Sequence, residues 1–346
     1  MDALKWILIS AGILIGAFGI FLLYFTVTDY SPAVFVKLEK VGKGLEMQPL
    51  RLTLMSWNLG YAGLGKSMDF FMDGGTKVKA TKEETERNLK GILSVVKIWK
   101  KNVDVFFFQE VDVDSDRSYN INEYEPLKDI LKGYESTFAY NYHVDFVPVP
   151  LNSPMGKVKS GIAVFSKYSF KDPTRVALPG EYPWPIRIFH LDRCMIVVRI
   201  PAPDGKEWLL INTHNSAYDS GDLRKQQLDF IKTFITKEYE KGNYVVIGGD
   251  WNIMLGSNFE FSEATPTFYK PLPKNFTPKG WKWAVDLSVP TNRSLATPYV
   301  EGRNFVTVID GFLVSPNVKI INVKGLNLGF EYSDHNPVIV TVEIQH

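Results

Sequence analysis

Two histidines, His214 and His335, stand beside carboxylates and amides at the ends of short apolar runs. Leu52–Trp57 ends in Asn58, and Val105–Phe108 leads to Gln109 and Glu110. Leu209–Asn212 delivers Thr213, His214 and Asn215, and Val245–Gly249 delivers Asp250, Trp251 and Asn252. Val306–Ile309 delivers Asp310, while Asp334, His335 and Asn336 precede a last apolar run. Singly, each has an ordinary explanation. Asn58 suits a turn or cap, Asp250 with Asn252 an Asx turn, Asp310 before Gly311 another turn, and either histidine a hydrogen-bonded structural position. Together they gather imidazoles, carboxylates and amides where sheet ends converge on a cleft. Imidazoles titrate near neutrality and can exchange protons with a reacting group. Oxygen donors without cysteine fit a divalent ion of the Mg2+ or Mn2+ class better than zinc.

Holding these groups takes strands. Runs at Arg51–Trp57, Val103–Gln109, Ile162–Phe165, Cys194–Ile200, Trp208–Thr213, Tyr244–Gly248, Val306–Val314 and Val338–Ile344 are β-rich and bounded by Gly, Pro, Asn or Asp. Several are continuously apolar, as in sheets covered on both faces. A capping box at Thr81 and Glu84, followed by Leu89, Ile92, Leu93 and Val96, predicts one helix. Leu223, Leu228, Ile231 and Phe234 form the core stripe of a second over Asp222–Glu240. The Pro-rich stretches 179–185 and 266–278 read as loops. This mixture predicts a single α/β domain on two stacked sheets.

The chain has 346 residues, with 39 Lys+Arg against 38 Asp+Glu, 45% apolar residues and a single cysteine, Cys194. That composition excludes a disordered chain, a disulfide framework and a cysteine-rich metal site. Balanced charge also removes bulk electrostatics as an argument for nucleic-acid binding. Between Lys5 and Asp29 no residue is charged, and the run is long enough to cross a bilayer as a helix. It exceeds the apolar core of a cleaved signal and no A-x-A-like site follows, so residues 1–28 read as an uncleaved single-pass transmembrane anchor. Lys37, Lys40 and Lys43 beyond it run against the bias for a translocated domain, but long domains cross regardless, and the expectation is an extracytoplasmic catalytic domain. Residues 29–50, with Pro32, Gly42, Gly44 and Pro49, read as a linker, and 51–346 as the catalytic domain.

In order along residues 50–346, Trp57-Asn58-Leu59, Gln109-Glu110-Val111, Ser160-Gly161-Ile162-Ala163, Thr213-His214, Gly249-Asp250-Trp251-Asn252, Ile309-Asp310-Gly311 and Ser333-Asp334-His335-Asn336-Pro337 carry a resemblance. The set resembles the endonuclease/exonuclease/phosphatase superfamily, to which deoxyribonuclease I, abasic-site endonucleases, neutral sphingomyelinases and inositol polyphosphate 5-phosphatases belong. The resemblance implies a four-layer α/β/β/α sandwich of two mixed β-sheets and Mg2+-dependent in-line hydrolysis of phosphate esters. It makes Glu110, assisted by Asn58, the metal ligand. His335 becomes the general base, oriented by Asp310. Asp250 and Asn252 become the pair that position nucleophile and phosphate, and Asp334 the acidic partner in the last motif. His214 matches the second histidine of the deoxyribonuclease and sphingomyelinase branches, and Arg193 resembles a phosphate-contacting arginine.

Two departures narrow the resemblance. Lys157-Val158-Lys159-Ser160 stands where the two-histidine branch often has an acidic residue supporting the second histidine, which leaves the partner of His214 open. The inositol 5-phosphatase signature is absent, and Asn336 replaces its basic residue. The stretch Thr213–Ser220, with Arg224, Gln227 and Leu228, is similar to bacterial sphingomyelinases. Trp184, Trp281 and Trp283, in or near Pro-rich loops, are candidates for contact with an interface. Lys77, Lys79, Lys157 and Lys159 are the modest basic clusters a nuclease could use. The expected protein is a monomeric, membrane-tethered phosphodiesterase (Mg2+, with Mn2+ an alternative) acting on a phospholipid or sphingolipid head group. The alternatives are a membrane-anchored nuclease and an inactive binding module on the same fold.

Overall fold

Apolar runs too continuous to leave a face in water build two sheets pressed together. The computed structural model describes residues 2–219 and 221–345. Met1, His346 and Ser220, the last residue of the 213–220 resemblance, lie outside the described residues. In chain order the elements are α1 (Asp2–Val27), β1 (Phe35–Lys37), β2 (Arg51–Asn58), α2 (Lys82–Trp99), β3 (Val105–Asp112), α3 (Tyr124–Ile130), β4 (Glu135–Val147), β5 (Gly156–Ser166), β6 (Lys171–Ala177) and β7 (Cys194–Pro201). There follow β8 (Glu207–His214), α4 (Asp222–Glu240), β9 (Tyr244–Asp250), β10 (Lys282–Ala284), β11 (Asn292–Arg293), β12 (Val306–Thr307), β13 (Asp310–Val314), β14 (Val318–Gly325) and β15 (Val338–Ile344).

One sheet runs β1-β6-β7-β8-β9-β13-β10 and the other β14-β15-β2-β3-β5-β4. Each is antiparallel except for one parallel pair, β8 with β9 and β2 with β3, joined by crossovers that contain α4 and α2. Between the sheets lie Leu54, Phe107, Val164, Ile196, Leu210 and Phe312, all buried. On the outer faces, Leu89, Ile92 and Val96 of α2 cover Phe106 and Phe108, while Leu228, Ile231 and Ile235 of α4 cover Leu209 and Ile247. Each such side chain contributes about 1.5–3 kcal/mol on full burial. The result is the expected α/β/β/α sandwich. The Thr81–Glu84 capping box opens α2, with the Glu84 N–H donating to Thr81 Oγ1 (3.2 Å) and the Thr81 N–H to Glu84 Oε2 (3.0 Å).

Three local expectations need correction. The run 306–314 is not one strand: β12 pairs with β11 in a separate ribbon, and only β13 joins the large sheet. The stretch 29–50 is laid along the domain, with β1 paired to β6 and the Trp208 indole N–H donating to Pro49 O (2.8 Å). Trp281 is buried and Trp283 packs on Trp251 with ring centroids 4.9 Å apart, so of the three loop tryptophans only Trp184 lies open to solvent. Helix α1 includes 25 residues, Ala3–Val27, long and apolar enough to cross a membrane.

Candidate active site

Strand register brings the polar residues together. Asn58 lies opposite Gln109 across β2 and β3, His214 opposite Asp250 across β8 and β9, and Asp250 opposite Asp310 across β9 and β13. Gly249 permits this approach. It has φ +145, and a Cβ there would lie 2.0 Å from Thr213 O, so only glycine lets β9 close on β8 at this level. Glu110 sits where the β3–β5 register slips between Phe108 and Val111, with φ 51 in the left-handed region. The bulge turns the carboxylate out of the ladder and into the cavity. Asn252 has φ 50 as well, and left-handed non-glycine residues of this kind cluster at functional sites.

Asn58 clamps the acidic centre. Its Nδ2 donates to Glu110 Oε1 (3.2 Å) and Asp250 Oδ2 (3.0 Å), while its Oδ1 accepts from the Gly60 N–H (2.9 Å). Ligation of an ion through Asn58 therefore takes a rotation of the amide. Asn252 is held from both sides. Its N–H donates to Asp250 Oδ1 (2.8 Å) and its Nδ2 to Asn215 O (2.9 Å).

His335 is flanked by acids. Its Nδ1 lies 2.8 Å from Asp310 Oδ2, and its Nε2 lies 3.8 Å from Asp250 Oδ2 and 3.9 Å from Asp334 Oδ2. Burial opposes its charged form, but Asp310, Asp334 and Asp250 outweigh that and push it up to about 10. Burial also pushes Asp250 up to about 6 and Asp334 to about 7, with His335 opposing both shifts. Hydrogen bonding pulls the other way at Nε2. Asn292 Nδ2 lies 2.9 Å from it, and the Tyr269 hydroxyl fixes that amide by donating to Asn292 Oδ1. In the neutral ring, an NH2 aimed at Nε2 leaves the lone pair there, with the proton on Nδ1 towards Asp310.

His214 has the opposite setting. Its Nδ1 accepts from Asn141 Nδ2 (3.2 Å), and its Nε2 faces Asp250 Oδ2 at 3.5 Å and Glu110 Oε1 at 3.8 Å. Burial, then the charges of Arg193, His335 and Arg117, hold it well below the usual histidine range. It is thus a neutral imidazole presenting Nε2–H to the cavity. Arg193, partly buried, also lines the cavity, and among the described residues its buried Nη1 has no partner.

All the residues expected at the site line one cavity or touch those that do. Sequence reasoning missed Asn141, Asn292 and Tyr269, which set the two imidazole tautomers. Asn141, a lone amide between two tyrosines in β4, gave only a faint signal, and Asn292 lies in a two-residue strand that gives none. The supporting role of Arg224 and Gln227 is architectural. Arg224 pairs with Asp219 and donates to Asn252 O (2.8 Å), and Gln227 brackets Ser216.

The donor set suits a hard divalent ion. Among the described residues no group of three or more His, Cys, Asp or Glu forms an all-protein cage. Mg2+ does not need one: it keeps waters and takes one or two carboxylates plus substrate oxygens. Glu110 is the most open carboxylate of the cluster.

An acid–imidazole cluster at the strand ends of a two-sheet sandwich suits a phosphoester hydrolase. The profile of the Endonuclease/Exonuclease/phosphatase family matches residues 55–335, and the chain belongs to that family. Among solved structures, an endonuclease/exonuclease/phosphatase from Beutenbergia cavernae aligns with TM-score 0.60 at 18% identity, covering 86% of this chain and 72% of the other. The human Nocturnin catalytic domain aligns at 0.54 and 16%, covering 89% and 97%, and ANGEL2, described as a 2',3'-cyclic phosphatase, at 0.55 and 16%, covering 90% and 99%. At these identities the likeness is one of fold. No curated protein matches the chain significantly.

Proposed function

We propose a membrane-tethered, Mg2+-dependent phosphodiesterase that cleaves the head group of a phospholipid or sphingolipid, with residues 1–28 as anchor and 51–346 as catalytic domain. One observation carries the lipid reading. Asp29 and Ser31, which follow α1 directly, line the same cavity as His214 and His335. The cavity lining combines charged groups, Arg193 among them, with the apolar side chains of Phe70, Val147, Met155, Phe189 and Leu191. An amphiphile with a phosphate at one end matches both.

In this reading Arg193 and the His214 Nε2–H bind the phosphate oxygens and stabilise the charge that grows on them. Asp250 and Asn252 align water with the phosphorus opposite the leaving oxygen. His335 Nε2 takes the water proton, and Asp310 holds Nδ1–H and stabilises the imidazolium. Asp334, buried and titrating near neutrality, shares that proton load. Held by Glu110 with Asn58 beside it, Mg2+ would supply positive charge that polarises the phosphate and offsets the carboxylates around His335.

The nuclease alternative loses its charge argument. Lys77 pairs with Asp69 at 3.5 Å, Lys157 and Lys159 with Asp114 at 2.6 and 3.7 Å, and Lys79 sits over the Tyr119 ring. The test is hydrolysis of sphingomyelin and phosphatidylcholine in vesicles by the full chain. Activity with Mg2+ that disappears with chelator and in His335→Ala supports the reading. No phosphodiester cleavage of any lipid would end it.

A further inference from the structure

Helix α1 meets the domain at a defined place. Phe21 stacks on Phe189 with centroids 5.9 Å apart and meets Phe146 edge-on at 6.4 Å, while Phe25, buried, touches the same two rings at 5.4 and 6.3 Å. The Trp184 indole N–H donates to Thr26 Oγ1 (3.1 Å). Phe146 lies near the end of β4 and Phe189 ends the short turn Ile186–Phe189; Phe189 and Val147 also line the catalytic cavity. The last turns of the helix therefore rest on the rim of the cavity.

Around this junction apolar side chains stand in solvent. Leu151, in the loop from β4 to β5, is 86% exposed, and Trp184 and Ile186 are 55% and 51% exposed. Val149, between Val147 and Leu151, is 45% exposed and faces the cavity. Both loops reach the cavity lining, through Val149 and through Arg187 and Phe189, and exposed apolar side chains on loops beside an apolar helix mark an interaction surface. The helix supplies the identity of the partner. At 1.5 Å per residue its 25-residue apolar span is about 37 Å long, enough to cross a hydrocarbon core of about 30 Å. Its last two turns then lie at the membrane surface, and so does whatever packs on them. Tryptophan and apolar side chains are favoured at that depth.

We propose that the loop tips at Leu151 and Trp184–Ile186 form a membrane-seating surface. They enter the lipid interface beside α1 and set the cavity mouth against the bilayer, so an amphiphilic phosphate ester reaches His335 from the membrane side. The occupant is the lipid surface itself, and the inference rests on the membrane-tethered reading of α1.

The experiment uses the full chain in phosphatidylcholine vesicles containing spin-labelled phosphatidylcholine. Leu151→Cys, Ile186→Cys and Glu240→Cys are each labelled with a fluorophore; native Cys194 is fully buried, which keeps the labelling selective. Glu240 ends α4, at the opposite end of β9 from Asp250. Loss of fluorescence at 151 and 186 but not at 240 is expected. Equal quenching at all three positions, or none, overturns the surface whatever the substrate assays give. A double variant, Leu151→Asp with Ile186→Asp, is expected to lose roughly tenfold or more of its rate on vesicle-borne lipid while keeping its rate on soluble bis(p-nitrophenyl) phosphate. Selective quenching of the labelled variants, together with a wild-type protein that hydrolyses no lipid, upholds the surface and overturns the lipid-substrate reading instead.

Discussion

His335 and Asp310 are buried partners, with Nδ1 and Oδ2 2.8 Å apart, and the strand pairing of β13 with β9 holds Asp310 in place. The pair fixes which ring nitrogen faces the cavity. Asp310→Asn keeps the volume but removes the charge that holds the proton on Nδ1. A fall in kcat of roughly 10²–10⁴-fold with little change in KM is expected from steady-state kinetics, the range general-base catalysis spans. A variant with undiminished kcat would remove His335 from the chemistry.

Glu110 should govern the response to Mg2+. Any ion that binds only the folded state stabilises it, by about 2.7 kcal/mol at a hundredfold excess over Kd. Calorimetry at pH 7.5 is expected to show a rise in Tm with Mg2+ for the wild type and none for Glu110→Gln. An equal rise in both would place the ion elsewhere.

The site should make stability fall as pH rises. Asp334 is raised from 3.8 to about 7, so the folded state holds a proton that the unfolded chain has released over that window. His335 is raised from 6.5 to about 10, so its contribution is complete below about pH 6.5 and lost as pH passes 10. Thermal melts without divalent ions are expected to lose Tm between pH 6.5 and 10, with His335→Gln flattening the loss. A slope unchanged by that substitution would contradict the assigned electrostatics.

Asn141 gives His214 its tautomer without adding charge. Asn141→Asp puts a carboxylate beside Nδ1 and is expected to raise the His214 pKa by roughly 1–3 units, as a nearby opposite charge does. Imidazole NMR measures it directly, and the acidic limb of the activity profile should move to higher pH. No shift would mean that the ring does not face Asn141.

The sheets were legible because their apolar runs are continuous, and the site was legible because Asn58, Glu110, His214, Asp250 and Asp310 each end or adjoin such a run. What was hidden had weak local patterns. Strand β4 carries tyrosines, an asparagine and a histidine, and its pairing with β5 slips near Tyr140 and again beyond Val144, so no clean alternation runs along it. That strand supplies Asn141. Asn292 and Tyr269 reach His335 only through tertiary folding of an irregular segment. Pairing of β1 with β6 was masked by the glycines and prolines around it.

We propose a lipid phosphodiester, not a nucleic acid, as the substrate. The most direct measurement is a matched comparison with Mg2+, at equal enzyme concentration, of head-group release from sphingomyelin and phosphatidylcholine vesicles against nicking of plasmid DNA by the full chain. Head-group release that His335→Ala abolishes, with negligible nicking, is expected. Efficient nicking that His335→Ala abolishes, with no release from either lipid, would contradict it.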